Sequence, residues 1–236
     1  MSGPVMGAQA PATVEELQQK LDKLRRRQRR NERAEWASGF LTAVCGMLRP
    51  GDLAIDCGAN VGDISARLLA SGADVIAFDP EPFAVEKLRH RFADEARFQL
   101  IGAAVGTCKG TVHLMRASNF DDNAALGSVK STVVTGGRMI DETEGNTIAV
   151  EQIDFVAFLR DQIARRGEIA FLKMDIEGAE LDLIPAIDAA GLFDHIRCTV
   201  VETHERKFRA RRDDFARMRA DIAARHSPSR VNLDWI

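Results

Sequence analysis

The chain has 236 residues, 45% apolar and 28% charged, with a net charge of −3. That length can enclose one sizeable core, and the composition is that of an ordinary soluble protein. No apolar run approaches the roughly 20 residues of a membrane-spanning helix, so no transmembrane segment is expected. Residues 1–13 lack the charged start and long apolar middle of a secretion signal. Cys45, Cys57, Cys108 and Cys198 are widely spread with no CxxC pair, which points to neither a zinc site nor a disulfide framework and makes a reducing cytoplasm the simplest setting.

In chain order, residues 1–12 read as a loose tail. Thr13 followed by Glu16 has the spacing of a capping box and opens a helical extension over residues 13–49, stopped by Pro50-Gly51. Val14, Leu17, Leu21 and Leu24 recur at helical spacing, whereas residues 25–33 are polar on every side. This front half is expected to project from the domain or to pack on a partner, a second copy of the chain included. Its later part, from Trp36 through Phe40, Leu41, Val44 and Leu48, can lie on the core.

From residue 50 to 236 the pattern is one α/β domain. Strands are expected at 53–55, 75–78 and 98–105, with helices at 61–69 and 83–92 between them. A small extra strand at 112–115 precedes a polar stretch, 117–146, whose length suits a lid or binding loop. Asn119, Asp121, Asp122 and Asn123 in it can bind a polyol or form a solvated turn. The alternation resumes with a strand at 148–150, a helix at 153–165 and a strand at 169–174. A helix at 179–190, a strand at 198–202, a helix at 208–225 and a last strand at 231–236 complete it. Short buried strands between helices imply a mostly parallel sheet with helices on both faces.

The segments 20–33 and 206–225 are strongly basic. Such clusters can meet nucleic acid, anionic lipid or an acidic partner, and can equally be solvated helix faces. A nucleic-acid binder is usually basic overall, so no stable nucleic-acid partner is expected.

Two stretches carry candidate chemistry. The first is the turn Asp56-Cys57-Gly58-Ala59-Asn60-Val61-Gly62 between the first strand and its helix. In a doubly wound sheet, ligands sit at the carboxyl ends of the strands. Gly58 lets the backbone approach a ligand, and Gly62 lets the helix pack on the strand. Asp79 ends the second strand, about 23 residues on, where a carboxylate can accept hydrogen bonds from both ribose hydroxyls of a nucleoside. The spacing Gly58-x-x-x-Gly62 departs from the dinucleotide pattern G-x-G-x-x-G. Asp56 would repel a pyrophosphate, but it can receive the ammonium of a methionine moiety, directly or through water. The second stretch, Lys173-Met174-Asp175-Ile176-Glu177-Gly178-Ala179-Glu180, again runs from strand into helix and places Asp175 and Glu177 beside the proposed pocket.

Together these motifs resemble the FkbM family of S-adenosylmethionine (SAM)-dependent methyltransferases, which pairs a D-x-G-A-N-x-G turn with an L-K-x-D-x-E-G-A-E segment. Phe78-Asp79-Pro80-Glu81-Pro82, Ala103-Ala104-Val105-Gly106, Ile153-Asp154-Phe155 and Val201-Glu202-x-His204 are similar to intervening family segments, so the resemblance spans residues 52–204. It implies a Rossmann-like class I methyltransferase fold with SAM as cofactor. Cofactor contacts are implied at Asp56, Gly58, Ala59, Asn60, Gly62, Asp79, Pro80, Ala104 and Asp175. It also implies transfer to a hydroxyl of a saccharide, glycan precursor or related small metabolite. The basic N-terminal helix lies outside it, and the segment after the final helix leaves little room for the usual last strand pair.

An alcohol acceptor needs a base within reach. The candidates are Asp175, Glu177, Glu202 and His204; His204, with an ordinary pKa of about 6.5, is either that base or a plain surface histidine. Glu177 can instead anchor the loop, and Glu180 reads as structural. Asp175, Glu202 and His204 could converge on a divalent metal, but nothing in their spacing demands one and none is expected. Three other readings remain open: a nicotinamide-dependent oxidoreductase, a non-catalytic SAM-binding or assembly module, and an RNA methyltransferase. The last lacks an Asn/Asp-Pro-Pro-Tyr segment in a chain with no Tyr.

Overall fold

The computed structural model describes residues 13–116, 131–138, 140, 142–143 and 146–235. The expected tail at 1–12 and the residues Asn119, Asp121, Asp122 and Asn123 lie outside them. Helix α1 (Val14–Met47) starts on the expected capping box. The Thr13 N–H donates to Glu16 Oε2 at 2.8 Å, and the Glu16 N–H returns to Thr13 Oγ1 at 3.2 Å. Two orphan donors of the first turn are thereby satisfied.

The chain divides into two compact units inside this helix, one running through Leu41 and the other from Thr42 to Trp235. The boundary therefore falls before the expected break at residues 49–50. The reason is local to the second unit. Val44 and Leu48 are buried, the Cys45 thiol reaches the Arg67 carbonyl, and Arg67 Nη2 donates to Thr42 Oγ1 at 2.7 Å.

The second unit holds a six-stranded sheet in the order β3-β2-β1-β7-β8-β9, parallel throughout. Its strands are β1 (Leu53–Cys57), β2 (Asp74–Phe78), β3 (Phe98–Ile101), β7 (Phe171–Met174), β8 (Thr199–Val201) and β9 (Val231–Asn232). A smaller sheet sets β6 (Thr147–Asp154) between β4 (Ala104–Gly106), parallel to it, and β5 (Gly110–Met115), antiparallel. The single strand expected over 98–105 is thus two strands in different sheets. The Ala103 N–H bonds back to the Ile101 carbonyl at 2.9 Å, a three-residue turn that redirects a chain whose apolar character is continuous. The closing strand is likewise shorter than expected, two residues rather than six.

Helices α2 (Asp63–Ala70), α3 (Pro82–Arg91), α4 (Phe155–Arg166), α5 (Glu180–Ala189) and α6 (Arg212–Arg225) link the strands. Pro82 at the head of α3 loses no hydrogen bond there. Asp154 caps α4 by accepting the Ala157 N–H. The expected helix from 208 opens instead with a 3-10 turn at Arg209–Arg211. The basic stretch at 206–225 is largely paired within the chain: Arg211 and Arg217 meet Asp214, Arg219 meets Asp234, and Arg225 meets Asp188. It is a compensated face. None of the described helices is long and apolar enough to cross a membrane.

The core is built where β1, β7 and β8 meet α4, α5 and α6, with Phe155, Phe171, Phe193 and Phe215 almost wholly buried. Phe155 packs edge-on to Phe78 at 5.5 Å and stacks on Phe158 at 5.9 Å, so it ties α4 to the strand that leads into Asp79. Phe155→Ala is expected to lower unfolding stability by about 3–5 kcal/mol. Urea denaturation should show this as a lower midpoint at an unchanged slope.

Candidate active site

The sheet order reverses between β1 and β7, and the carboxyl ends of these neighbours define the crevice. Gly58 and Ala59 both donate their N–H groups to the Phe78 carbonyl, at 2.9 and 3.0 Å, which folds the turn after β1 over the end of β2. Gly58 has φ +77°, and a Cβ there would lie 1.8 Å from the Asp175 carbonyl oxygen. Only glycine lets the two strand ends approach so closely. Asn60 also takes a left-handed conformation, and its N–H donates to Asp79 Oδ2 at 2.8 Å. The other oxygen, Asp79 Oδ1, accepts the Glu81 N–H at 2.9 Å.

Beneath the turn lies a buried cation. Lys173 stands opposite Asp56 in the β1–β7 register. Its Nζ donates to the Gly58 carbonyl at 2.8 Å and to the Cys57 carbonyl at 3.3 Å. It also lies 3.3 Å from Asp56 Oδ1 and 3.4 Å from Asp175 Oδ2. Burial alone would favour loss of its proton, but Asp56 and Asp175 outweigh that and hold the pKa above the ordinary lysine value. Asp56 is fully buried and also accepts from Ser65 Oγ at 2.7 Å.

A cavity opens above this layer. It is lined by Gly58 and Asn60 from the first turn, Asp79, Pro80 and Glu81 from the second, and Ala104 beside them. Ser131, Thr132 and Val133 form one wall, fixed where Thr132 Oγ1 donates to the Glu177 carbonyl at 2.6 Å. Asp175 and Glu177 also line it. Burial pushes Asp79 up to about 6, against the opposing effect of its two backbone hydrogen bonds.

At the Asp175 side, His204 Nε2 faces three carboxylates: Glu177 at 3.4 Å, Asp175 at 3.6 Å and Glu202 at 4.0 Å. Its Nδ1 lies 3.0 Å from Oε1 of the fully buried Glu180. Glu180 is itself fixed, because Oε1 accepts the Ile176 N–H and Oε2 the Gly178 N–H. Glu180 therefore orients the imidazole, leaving Nε2 turned toward the acidic cluster. Burial disfavours the imidazolium, yet the Glu180 hydrogen bond and the surrounding carboxylates raise its pKa to about 10. Glu202 is pushed up to about 7 by burial and by Asp175. Burial also raises Glu177, although Lys207 Nζ sits 2.7 Å from its Oε2. Asp175, Glu177 and His204 offer ligand atoms within 4.8 Å of one another and can hold a metal ion.

The residues expected from sequence thus fall into groups. Gly58, Asn60, Asp79, Pro80, Ala104 and Asp175 line the cavity. Ala59 and Gly62 shape the turn, Asp56 lies beneath it against Lys173, and Glu202 and His204 gather beside Asp175.

Residues 56–226 match the methyltransferase FkbM domain. A 31-O-demethyl-FK506 methyltransferase FkbM from Streptomyces tacrolimicus is 30% identical over 176 residues, which cover 67% of each chain. The chain belongs to the FkbM methyltransferase family. A crystal structure of methyltransferase FkbM from Methylobacillus flagellatus KT is 20% identical with a TM-score of 0.35; the alignment covers 65% of this chain and 35% of that one.

In this FkbM-family chain the sequence reading gave no site role to Lys173, Thr132 or Glu81, and it read Glu180 only as structural. Lys173 was visible as part of a motif, and its place opposite Asp56 follows once β1 and β7 are paired. Glu180 contacts a residue 24 positions away, and Thr132 one 45 positions away, separations without a sequence signature. Glu81 caps α3 and has one buried oxygen, Oε2, with no hydrogen-bond partner among the described residues. Lys173→Met leaves Asp56 buried without its cation, so unfolding stability is expected to fall by about 3–5 kcal/mol. Lys173→Met/Asp56→Asn should recover part of that loss in chemical denaturation, a coupling that independent side chains would not show.

Proposed function

We propose that this chain is a SAM-dependent O-methyltransferase, acting on a hydroxyl of a saccharide, glycan precursor or related small metabolite. The observation that carries the proposal is the group of buried carboxylates at the cavity and beside it, Asp79 and Glu177 in its lining and Glu202 next to Asp175 and His204. Asp79, Glu177 and Glu202 all have raised pKa values, each first because of burial. A site that disfavours its own negative charge is complementary to a cation. SAM carries a sulfonium and an ammonium, whereas a dinucleotide brings a pyrophosphate that these groups repel. In this reading Asp79 receives the ribose hydroxyls, with Glu81 Oε2 as a further acceptor, and Asn60 and Ala104 border the nucleoside. Asp175 faces the methionine end. Asp56 then acts through Lys173, since the lysine already occupies the side of its carboxylate nearest the turn.

Methyl transfer is an in-line displacement. The sulfur–methyl bond breaks with its electron pair remaining on sulfur, the oxygen–methyl bond forms, and the hydroxyl proton passes to a base. Positioning and exclusion of water supply much of the rate. Among Asp175, Glu202 and His204, the acceptor of the proton is Glu202, whose pKa of about 7 suits a base near neutrality. His204, held as an imidazolium by Glu180, offsets the neighbouring carboxylates and donates from Nε2.

Isothermal titration tests the cofactor. SAM should bind saturably, and between pH 6 and 7 its binding should release protons, because a cation favours the ionised form of Asp79 and Glu202. The release should fade above about pH 8, where both are already ionised. S-adenosylhomocysteine, without the sulfonium charge, should release fewer protons. Saturable NAD binding with none of SAM would sink the proposal.

Once labelled SAM and cell extract have identified the acceptor, kcat/KM should rise with pH through about 7 as Glu202 of the free enzyme loses its proton, and kcat should rise at a lower pH because the bound cation favours the carboxylate. Glu202→Gln should lower kcat by roughly 100- to 10,000-fold and abolish that rise. An unchanged pH profile in this variant would assign the base elsewhere.

A further inference from the structure

The large apolar side chains left exposed among the described residues are Val14, Leu17, Leu21, Leu24, Trp36 and Met47, and all six lie on α1. Val14 is 85% exposed and Leu24 60%. At about 100° per residue, the first four fall within an arc of about 80° on one helix face. Long basic side chains border that arc on both sides, Lys20 and Arg27 along one edge and Arg25 and Arg29 along the other. Residues 17–33 contain eight basic and two acidic side chains, a net charge of +6 in a chain whose total is −3. The remainder of the chain therefore carries −9, and its other basic stretch is compensated within the fold.

We propose that the first half of α1 is a docking surface for an anionic lipid bilayer, lying in the headgroup plane with Val14, Leu17, Leu21 and Leu24 inserted and the flanking lysine and arginines on lipid phosphates and carboxylates. A narrow apolar stripe between two rows of long basic chains suits that interface, because the stems follow the apolar surface while the charged heads stay in water. Each basic group near an anionic leaflet adds attraction, and the effect is screened by salt. Pairing with a second copy is less well served. The a/d run holds four aliphatic residues and then continues as Gln28 and Asn31, shorter than the three to four heptads that sustain a coiled coil. A parallel pair would also set Lys20 against Arg25 of the other copy, like against like.

The test is co-sedimentation of the full-length chain with vesicles of phosphatidylcholine alone and of phosphatidylcholine with one-third phosphatidylserine. Binding to the anionic vesicles is expected to exceed binding to the neutral ones by at least about tenfold and to be released by about 0.5 M salt. Leu17→Gln/Leu21→Gln/Leu24→Gln, which keeps good helix formers, should abolish it. Should circular dichroism show that this variant loses helix, Arg25→Glu/Arg29→Glu decides instead, because it leaves the stripe intact. Equal pelleting with both vesicle types, or undiminished binding in the variant that decides, would overturn the proposal. So would a chain that ignores both vesicles yet sediments as a dimer that the leucine variant dissociates, since the occupant is then a second copy.

Discussion

The site depends on one buried ammonium. Lys173 sits where two parallel strands end side by side, and four oxygens converge on it: two carbonyls of the β1 turn and two carboxylates, one from each strand. A lone cation buried this deeply would be prohibitively desolvated, and so would Asp56 beside it. Each is tolerable because of the other, and the pairing requires β1 and β7 to be in one register. That same register brings Gly58 against the Asp175 carbonyl, a contact with no room for a side chain. The tight turn, the position of Asp175 and the floor of the cavity are consequences of one electrostatic pairing.

Above that floor the balance of charge changes sign. Asp56 and Asp175 share a cation held in place, and Glu180 has both oxygens supplied with hydrogen bonds. Asp79, with a backbone N–H on each oxygen, Glu177, paired with Lys207, and Glu202 are nevertheless shifted by burial toward their protonated forms. His204 answers part of this negative charge from one side and Lys207 from another. Of the carboxylates that line the cavity, Asp175 is compensated by Lys173, whereas Asp79 and Glu177 are pushed toward protonation by their burial.

Much of this could be read from the sequence, and the limits have definite causes. The parallel strands were legible because full burial writes them as short apolar runs between helices. The turn from Asp56 to Gly62 and the segment from Lys173 to Glu180 were legible because their residue types and spacing resemble the two motifs of the family. The break between β3 and β4 was not, since Leu100 to Val105 stays apolar across it and a backbone hydrogen bond at Ala103 does the work. The partner of Asp56 was misjudged for a related reason. Sequence shows a carboxylate at a strand end, but only the pairing of distant strands shows that Lys173 takes it first. Glu180 read as structural and proves to be the hydrogen-bond partner of His204, a structural role with a chemical consequence.

That last pair bears on how the site divides its work. A histidine beside a base-requiring reaction invites assignment as the base, yet Glu180 stabilises its charged form and the facing carboxylates reinforce that. Removing the proton from such an imidazolium at neutral pH is uphill, whereas Glu202 loses its own near pH 7. The two are 4.0 Å apart, so each sets the other's affinity for a proton. A cationic methyl donor entering the cavity would lower both values together, and Glu202 is the group whose change of state lies within the neutral range. In the proposed reaction, the order of the proton affinities, more than the identity of the residue type, favours the carboxylate for the proton transfer and leaves the histidine to offset the acidic cluster.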